Sequence, residues 1–130
     1  MVHAIIVTHG DLAAELVRSA ATVFGSVNGC HPVSNADKAP QTLVSELEEI
    51  VASQDAGDRF IVFVDFFGGS CCHAGLSIEC NDRARVITGV NLPMLLAFLY
   101  KRDEVEFEKL PEELTSRGHD SIRSVEAERL

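Results

Sequence analysis

Apolar residues follow two alternating rhythms along this chain: short unbroken runs, and stretches where they return every three or four positions. The first run is Ala4-Ile5-Ile6-Val7, and behind it Leu12, Leu16, Ala20 and Val23/Phe24 recur at helical spacing. Gly25 predicts the end of that helix, because glycine accepts the left-handed conformation favoured there. A weak strand is expected around Gly29-Cys30-His31-Pro32-Val33, where the proline suits a sheet edge. Pro40 opens a second helix through Leu43, Leu47, Ile50 and Val51, since proline fits a first turn that has no partner for its missing N–H. Asp55-Ala56-Gly57-Asp58 then breaks the chain before Phe60-Ile61-Val62-Phe63-Val64. That run is apolar on both faces, the pattern of a central parallel strand covered by helices on each side.

Gly68-Gly69-Ser70 leads into a helix with Ala74 and Ile78 on one face, and Ser70 stands where it would cap the helix. Arg85–Val90 reads as a fourth strand, and Asn91-Leu92-Pro93 opens a helix through Met94, Leu95, Phe98 and Leu99. The acid-rich remainder from Asp103 reads as helical in pieces, around Leu110–Leu114 and Ser121–Leu130. Strands alternating with helices, with no linker, repeat or low-complexity stretch, predict one doubly wound α/β domain over residues 1–130. Right-handed crossovers put helices on both faces of a mainly parallel sheet. A flavodoxin-like order 2-1-3-4 sets the first and third strands side by side, and ligands of such sheets bind at that switch point.

His9 follows the first run and Asp65 follows the third. If those strands are neighbours, a histidine, a carboxylate and a glycine-rich helix start meet in one crevice. A carboxylate that accepts one imidazole N–H fixes the tautomer and leaves the other nitrogen free as a nucleophile. Phosphate suits the remaining parts: amides of Gly68, Gly69 and Ser70 at a helix N-terminus, with the Ser70 hydroxyl, form an anion site. There is no Walker A motif and no lysine or arginine in the cluster, so a transient phosphoryl group fits better than a bound nucleotide. Taken singly, each part has a plainer reading: His9 as a polar loop residue, Asp65 as a turn cap, the glycine pair as a tight connection. Cys71, Cys72 and His73 suggest metal, with His9 and Asp65 as further ligands, or a thiolate of lowered pKa at the helix start. Adjacent cysteines on a helix point in different directions, so buried apolar packing is the simpler reading, and no resident metal or cofactor is expected. His3, His31 and His119 carry no pattern.

The 130 residues are 46% hydrophobic, enough for one domain with a proper core. A formal net charge of -9 excludes a binder of nucleic-acid backbone, which needs a basic face, but not a local anion site built from amides. No run of about 18 apolar residues marks a membrane span. The start lacks the basic and apolar segments of a secretory leader. Cys30, Cys71, Cys72 and Cys80 have neither CxxC spacing nor the layout of a secreted disulfide framework. Reduced thiols in the cytoplasm are the expectation.

Three separated motifs resemble one known family: Ile5-Ile6-Val7-Thr8-His9-Gly10, Val64-Asp65-Phe66-Phe67-Gly68-Gly69-Ser70, and Gly89-Val90-Asn91-Leu92-Pro93-Met94-Leu95. In order and spacing, over nearly the whole chain, they resemble the mannose-type enzyme IIA (EIIA) domain of the bacterial phosphoenolpyruvate-dependent sugar phosphotransferase system. The resemblance implies a cytoplasmic phosphocarrier. The residue at His9 would accept a phosphoryl group from phospho-HPr and pass it to a separate IIB component in mannose-, fructose- or sorbose-type uptake. Asp65 would orient that histidine, and Ser70 would help hold the phosphoryl group. It also implies a homodimer with an exchanged edge strand and a peripheral association with membrane IIC and IID components. After Ser70 the chain departs from the family pattern, with Cys71 and His73 where proline and asparagine are usual. Alternatives from other classes are a regulatory phosphohistidine protein uncoupled from transport, and a Cys/His metal-binding protein.

Overall fold

The computed structural model describes residues 1–79 and 82–127, so Cys80 lies outside the described residues. Four strands, β1 (Val2–Thr8), β2 (Cys30–Ser34), β3 (Arg59–Val64) and β4 (Ala84–Thr88), form one parallel sheet in the order β2-β1-β3-β4. The intervening helices are α1 (Leu12–Phe24), α2 (Pro40–Ala52), α3 (Gly69–Glu79), α4 (Leu92–Lys101) and, after a single 3-10 turn at Phe107–Lys109, α5 (Leu110–Asp120). This is the doubly wound architecture and strand order that the sequence predicts.

The handedness of the crossovers explains which helix covers which face. The β1-to-β2 connection runs one way across the sheet, whereas β2-to-β3 and β3-to-β4 run the other. Right-handed crossovers in opposite directions lie on opposite faces. Accordingly Ala4, Ile6, Ile61 and Phe63 pack with Ala13 and Ala20 of α1, Phe98 of α4 and Leu114 of α5. Ile5, Val7, Val62 and Val64 pack with Leu43 and Leu47 of α2 and Ile78 of α3 on the other side. β1 and β3 are therefore buried on both faces, which is why they read as continuous apolar runs. Each large side chain so buried contributes about 1.5–3 kcal/mol of transfer free energy. The edge strand β2 carries Pro32, paired in register with Ile6, as expected of a strand with one open side.

Two local expectations differ. Ser70 does not cap α3: the helix begins at Gly69, and Ser70 falls within its first turn. Gly68 (φ 95°) and Gly69 (φ 78°) both take the left-handed region, so the glycines themselves make the entry to the helix. The helix expected over 121–130 is absent from residues 121–126, which follow the end of α5 at Asp120. Ile122 and Val125 are exposed and have no apolar face to share. The last three positions of that expected helix, 128–130, lie outside the described residues. No helix among the described residues is long and apolar enough to cross a membrane.

Candidate active site

β1 and β3 stop at the same level, with Val7 paired to Val64, so the residues that follow emerge side by side. From there the chain leaves β1 towards β2 and β3 towards β4, opening the crevice of a switch point. Thr8 ends β1 fully buried, and its Oγ1 accepts the Ala13 N–H at 2.8 Å. That bond satisfies one of the unpaired amides of the first turn of α1 from inside the fold. His9 is held between this anchor and the turn at Gly10, with its side chain 43% exposed.

Asp65, only 11% exposed, grips His9 twice. Its Oδ2 accepts the His9 backbone N–H at 3.0 Å and lies 2.8 Å from Nδ1, while Oδ1 accepts the Phe66 N–H at 3.1 Å. Burial alone would push the Asp65 carboxyl up. The hydrogen bonds from the His9 backbone and ring, its charge and the Phe66 N–H outweigh burial, and the group is held below the usual carboxylate range. A carboxylate that stays ionised is an acceptor only, so in the neutral ring the proton stands on Nδ1 and the lone pair on Nε2. The turn-capping reading of Asp65 also holds, since Oδ1 caps the Phe66 amide while Oδ2 orients the histidine.

The Phe66 ring stacks on the imidazole, with centroids 4.9 Å apart and planes 17° apart. Phe67 beside it is 83% exposed. Gly68 and Gly69 bring the first turn of α3 to this edge of the sheet, with Ser70 partly buried in it. The helix N-terminus offers amides without helical partners and a favourable dipole for an anion. His9 and Asp65 are thus brought together as expected, and the Gly68-Gly69-Ser70 segment follows directly from Asp65.

The cysteines divide. Cys72 is buried in the α2/α3 core and His73 is exposed, so Cys71, Cys72 and His73 do not converge as a ligand set. Cys71 is fully buried, yet its Sγ lies 3.8 Å from His9 Nδ1. Burial first, then the negative charge of Asp65, push the Cys71 thiol up against an opposing hydrogen bond from Ser70. A thiolate activated by the helix start is therefore not what this position holds. His9, Asp65 and Cys71 place one ligating atom each within 4.8 Å of one another.

Two neighbours of His9 were not assigned from the sequence, Thr8 as the anchor of α1 and Phe66 as the ring against the imidazole, whereas Cys71 was grouped with His9 and Asp65 only within a wider Cys/His ligand set. An aromatic pair directly after a strand-end aspartate is the one signal for Phe66. At the opposite end of the sheet, His3 and His31 also have structure that no pattern announced. Buried His3 lies 2.8 Å from Asp58 Oδ2 and 3.1 Å from His31 Nε2, and the Met1 amine donates to Asp58 Oδ1 at 2.9 Å.

Comparison with known proteins agrees with this geometry. The family model described as the PTS system fructose IIA component matches residues 3–115. The chain is 29% identical over 125 residues to the fructose-specific EIIA component of Bacillus subtilis, covering 95% of this chain and 86% of that one. It is also 29% identical over 130 residues to the mannose-specific EIIAB component of Escherichia coli, covering 95% of this chain but only 39% of that protein's length. The mannose/sorbose-specific IIA subunit from Enterococcus faecalis shares the fold, with a TM-score of 0.86 at 22% identity over 95% of this chain and 94% of that one. The chain belongs to the mannose/fructose/sorbose type of EIIA components of the sugar phosphotransferase system.

Proposed function

We propose that the protein is a reversible phosphoryl carrier in which His9 Nε2 takes a phosphoryl group from an HPr-like phosphohistidine and hands it to a IIB component. The observation that carries this reading is the double attachment of His9 to Asp65 Oδ2, through Nδ1 and through the backbone N–H. It leaves Nε2 as the nucleophile and sets an anion behind the ring. In the transfer, the Nε2 lone pair forms the new N–P bond while the donor's P–N bond breaks and returns its electron pair to the donor imidazole. His9 keeps its Nδ1 proton throughout, so the phosphorylated ring is cationic and Asp65 offsets that charge. Amides of Gly68, Gly69 and Ser70, with the Ser70 hydroxyl, receive the phosphoryl oxygens, at about 0.3–1 kcal/mol for each exposed interaction. The protein's share of such a reaction is positioning and electrostatics rather than covalent chemistry of its own.

Exposed Phe66 and Phe67 beside His9, on a chain of net charge -9, suit a partner with an apolar centre and a basic rim. We take residues 1–130 as one such domain acting in the cytoplasm, peripheral to IIC and IID components of the membrane. A homodimer is part of the reading. Among the described residues β4 pairs with β3 alone, and a groove of about 520 Å3 lined by Val86, Ile87, Thr115 and His119 runs beside it. An unpaired strand edge of this kind is a natural seat for a strand of another chain.

The test is incubation with phosphoenolpyruvate, enzyme I and HPr, followed by intact mass measurement. The wild type gains one acid-labile phosphate and His9→Ala gains none. A phosphate retained by His9→Ala overturns the assignment.

A further inference from the structure

Asp65 and Cys71 meet His9 on the same nitrogen, Nδ1, on the far side of the ring from the nucleophile. The three donors there bracket the separations of a small tetrahedral ligand set, one pair closer and one wider. Oδ2 of Asp65 is 2.8 Å and Sγ of Cys71 is 3.8 Å from Nδ1, and all three atoms lie within 4.8 Å of one another. With zinc bonds of about 2.0–2.3 Å at tetrahedral angles, such donors stand roughly 3.3–3.6 Å apart. The carboxylate–imidazole pair would open by about half an ångström, the thiol–imidazole pair would close by a few tenths, and the carboxylate–thiol pair, the widest of the three, would close by about an ångström. His9 is the partly exposed member, so rotation of its ring opens a path inward.

We propose that His9 Nδ1, Asp65 Oδ2 and Cys71 Sγ form a three-ligand site for Zn2+, with the fourth position open to solvent, and that its occupation blocks phosphoryl acceptance. Nitrogen, carboxylate oxygen and thiolate sulfur together are a zinc set, and they leave little to hard cations such as Mg2+. The outer shell is already built, because the His9 and Phe66 amides hold the Asp65 carboxylate in place and the Phe66 ring covers the imidazole. Cys71 supplies the ligand that a carrier needs for no step of its own, and it stands where the family pattern has proline. Binding must displace the Nδ1 proton and the thiol proton. Burial and Asp65 make the thiol hard to ionise in the free protein, and the cation reverses that cost by becoming the largest local charge.

The consequence for transfer rests on the carrier reading above. An imidazole bound to metal through Nδ1 keeps its remaining proton on Nε2, and that nitrogen then has no lone pair for phosphorus. Metal and phosphoryl group therefore exclude each other through the tautomer of one ring, without competing for the same atom. By linkage, each weakens the other by the same factor.

The experiment titrates the whole purified protein, kept reduced, with Zn2+ by calorimetry and with Co2+ as an optical probe of thiolate ligation. The wild type binds with a sulfur-to-cobalt band and releases protons. Cys71→Ser loses the band and weakens Zn2+ binding by more than about tenfold, while Cys72→Ser retains both. Asp65→Asn weakens binding as well, a second route should Cys71→Ser fold poorly. In the phosphorylation assay Zn2+ inhibits the wild type but not Cys71→Ser. Zn2+ binding of equal strength in wild type and Cys71→Ser, or no binding at all, overturns the site. Phosphorylation of His9 with no Zn2+ binding leaves the carrier reading standing and sinks the metal site. A Cys71-dependent cobalt band in a protein that never phosphorylates does the reverse.

Discussion

Asp65 acts on His9 through charge and aim together, and the two can be separated. In Asp65→Asn an amide oxygen can still accept the Nδ1 proton, but the fixed anion that offsets a cationic phosphoimidazole is gone and the amide is free to flip. We expect phosphoryl acceptance to slow by on the order of 100-fold with the fold intact, measured by rapid quench against phospho-HPr. A rate equal to wild type removes Asp65 from the mechanism. At this scale the sequence is legible where chemistry sits at the end of an apolar run, as His9 and Asp65 do. It is silent where contact depends on a rotamer. Nothing in the order of residues says that Phe66 folds back onto the imidazole while Phe67 stays exposed, or that Cys71 rather than Cys72 faces His9.

The start of α4 is fixed by a side chain at its N-cap. Asn91 Oδ1 accepts the Met94 N–H at 2.9 Å, and Nδ2 donates to the Gly118 carbonyl at 3.2 Å, tying α4 to α5. Asn91→Ala loses both bonds and is expected to cost about 1–2 kcal/mol in chemical denaturation. Asn91→Asp keeps the cap, loses the donor and should fall between. Equal stability for wild type and Asn91→Ala contradicts this account of the junction. The start of α4 was legible because asparagine, then Pro93, then an apolar helical period is a redundant signal. The start of α3 was displaced by two residues because two glycines in sequence make their own turn and need no serine. The helix expected beyond Asp120 failed because Ile122 and Val125 give it no face to bury. The strand order was legible because crossover handedness and the doubly apolar β1 and β3 leave few arrangements.

Over the whole molecule, the His9 end of the sheet is balanced by a polar cluster at the other end, where Met1 and His3 meet Asp58 and His31 meets His3. Burial first, and then the charge of His3, pull His31 below its ordinary 6.5, so the folded protein binds fewer protons there than the unfolded chain. The stability this contributes is full above that ordinary value and is lost as pH falls through the lowered one. Asp58 is held below its ordinary 3.8 chiefly by the hydrogen bond from His3, and then by the Met1 amine. Asp65 is lowered as well, so a second loss belongs to the acid range, as pH falls through the depressed folded values of both carboxyls. Thermal unfolding followed from pH 8 to pH 3 should therefore decline in two stages. His31→Gln should remove the upper stage and leave the lower, and an upper stage that survives the substitution contradicts the assignment. This cluster was not legible in the sequence, because His3, His31 and Asp58 lie on separate elements that only the parallel register brings together.

We expect Nε2 of His9, not Nδ1 and not the neighbouring thiol, to carry the phosphoryl group. Coupling between phosphorus and ring nitrogen in the 15N-labelled, phosphorylated protein reads this directly by NMR. The expected result is one phosphorus coupled to Nε2 of His9, with the Nδ1 proton retained and shifted by its bond to Asp65. Phosphorus coupled to Nδ1, or bound to the Cys71 sulfur, would contradict it.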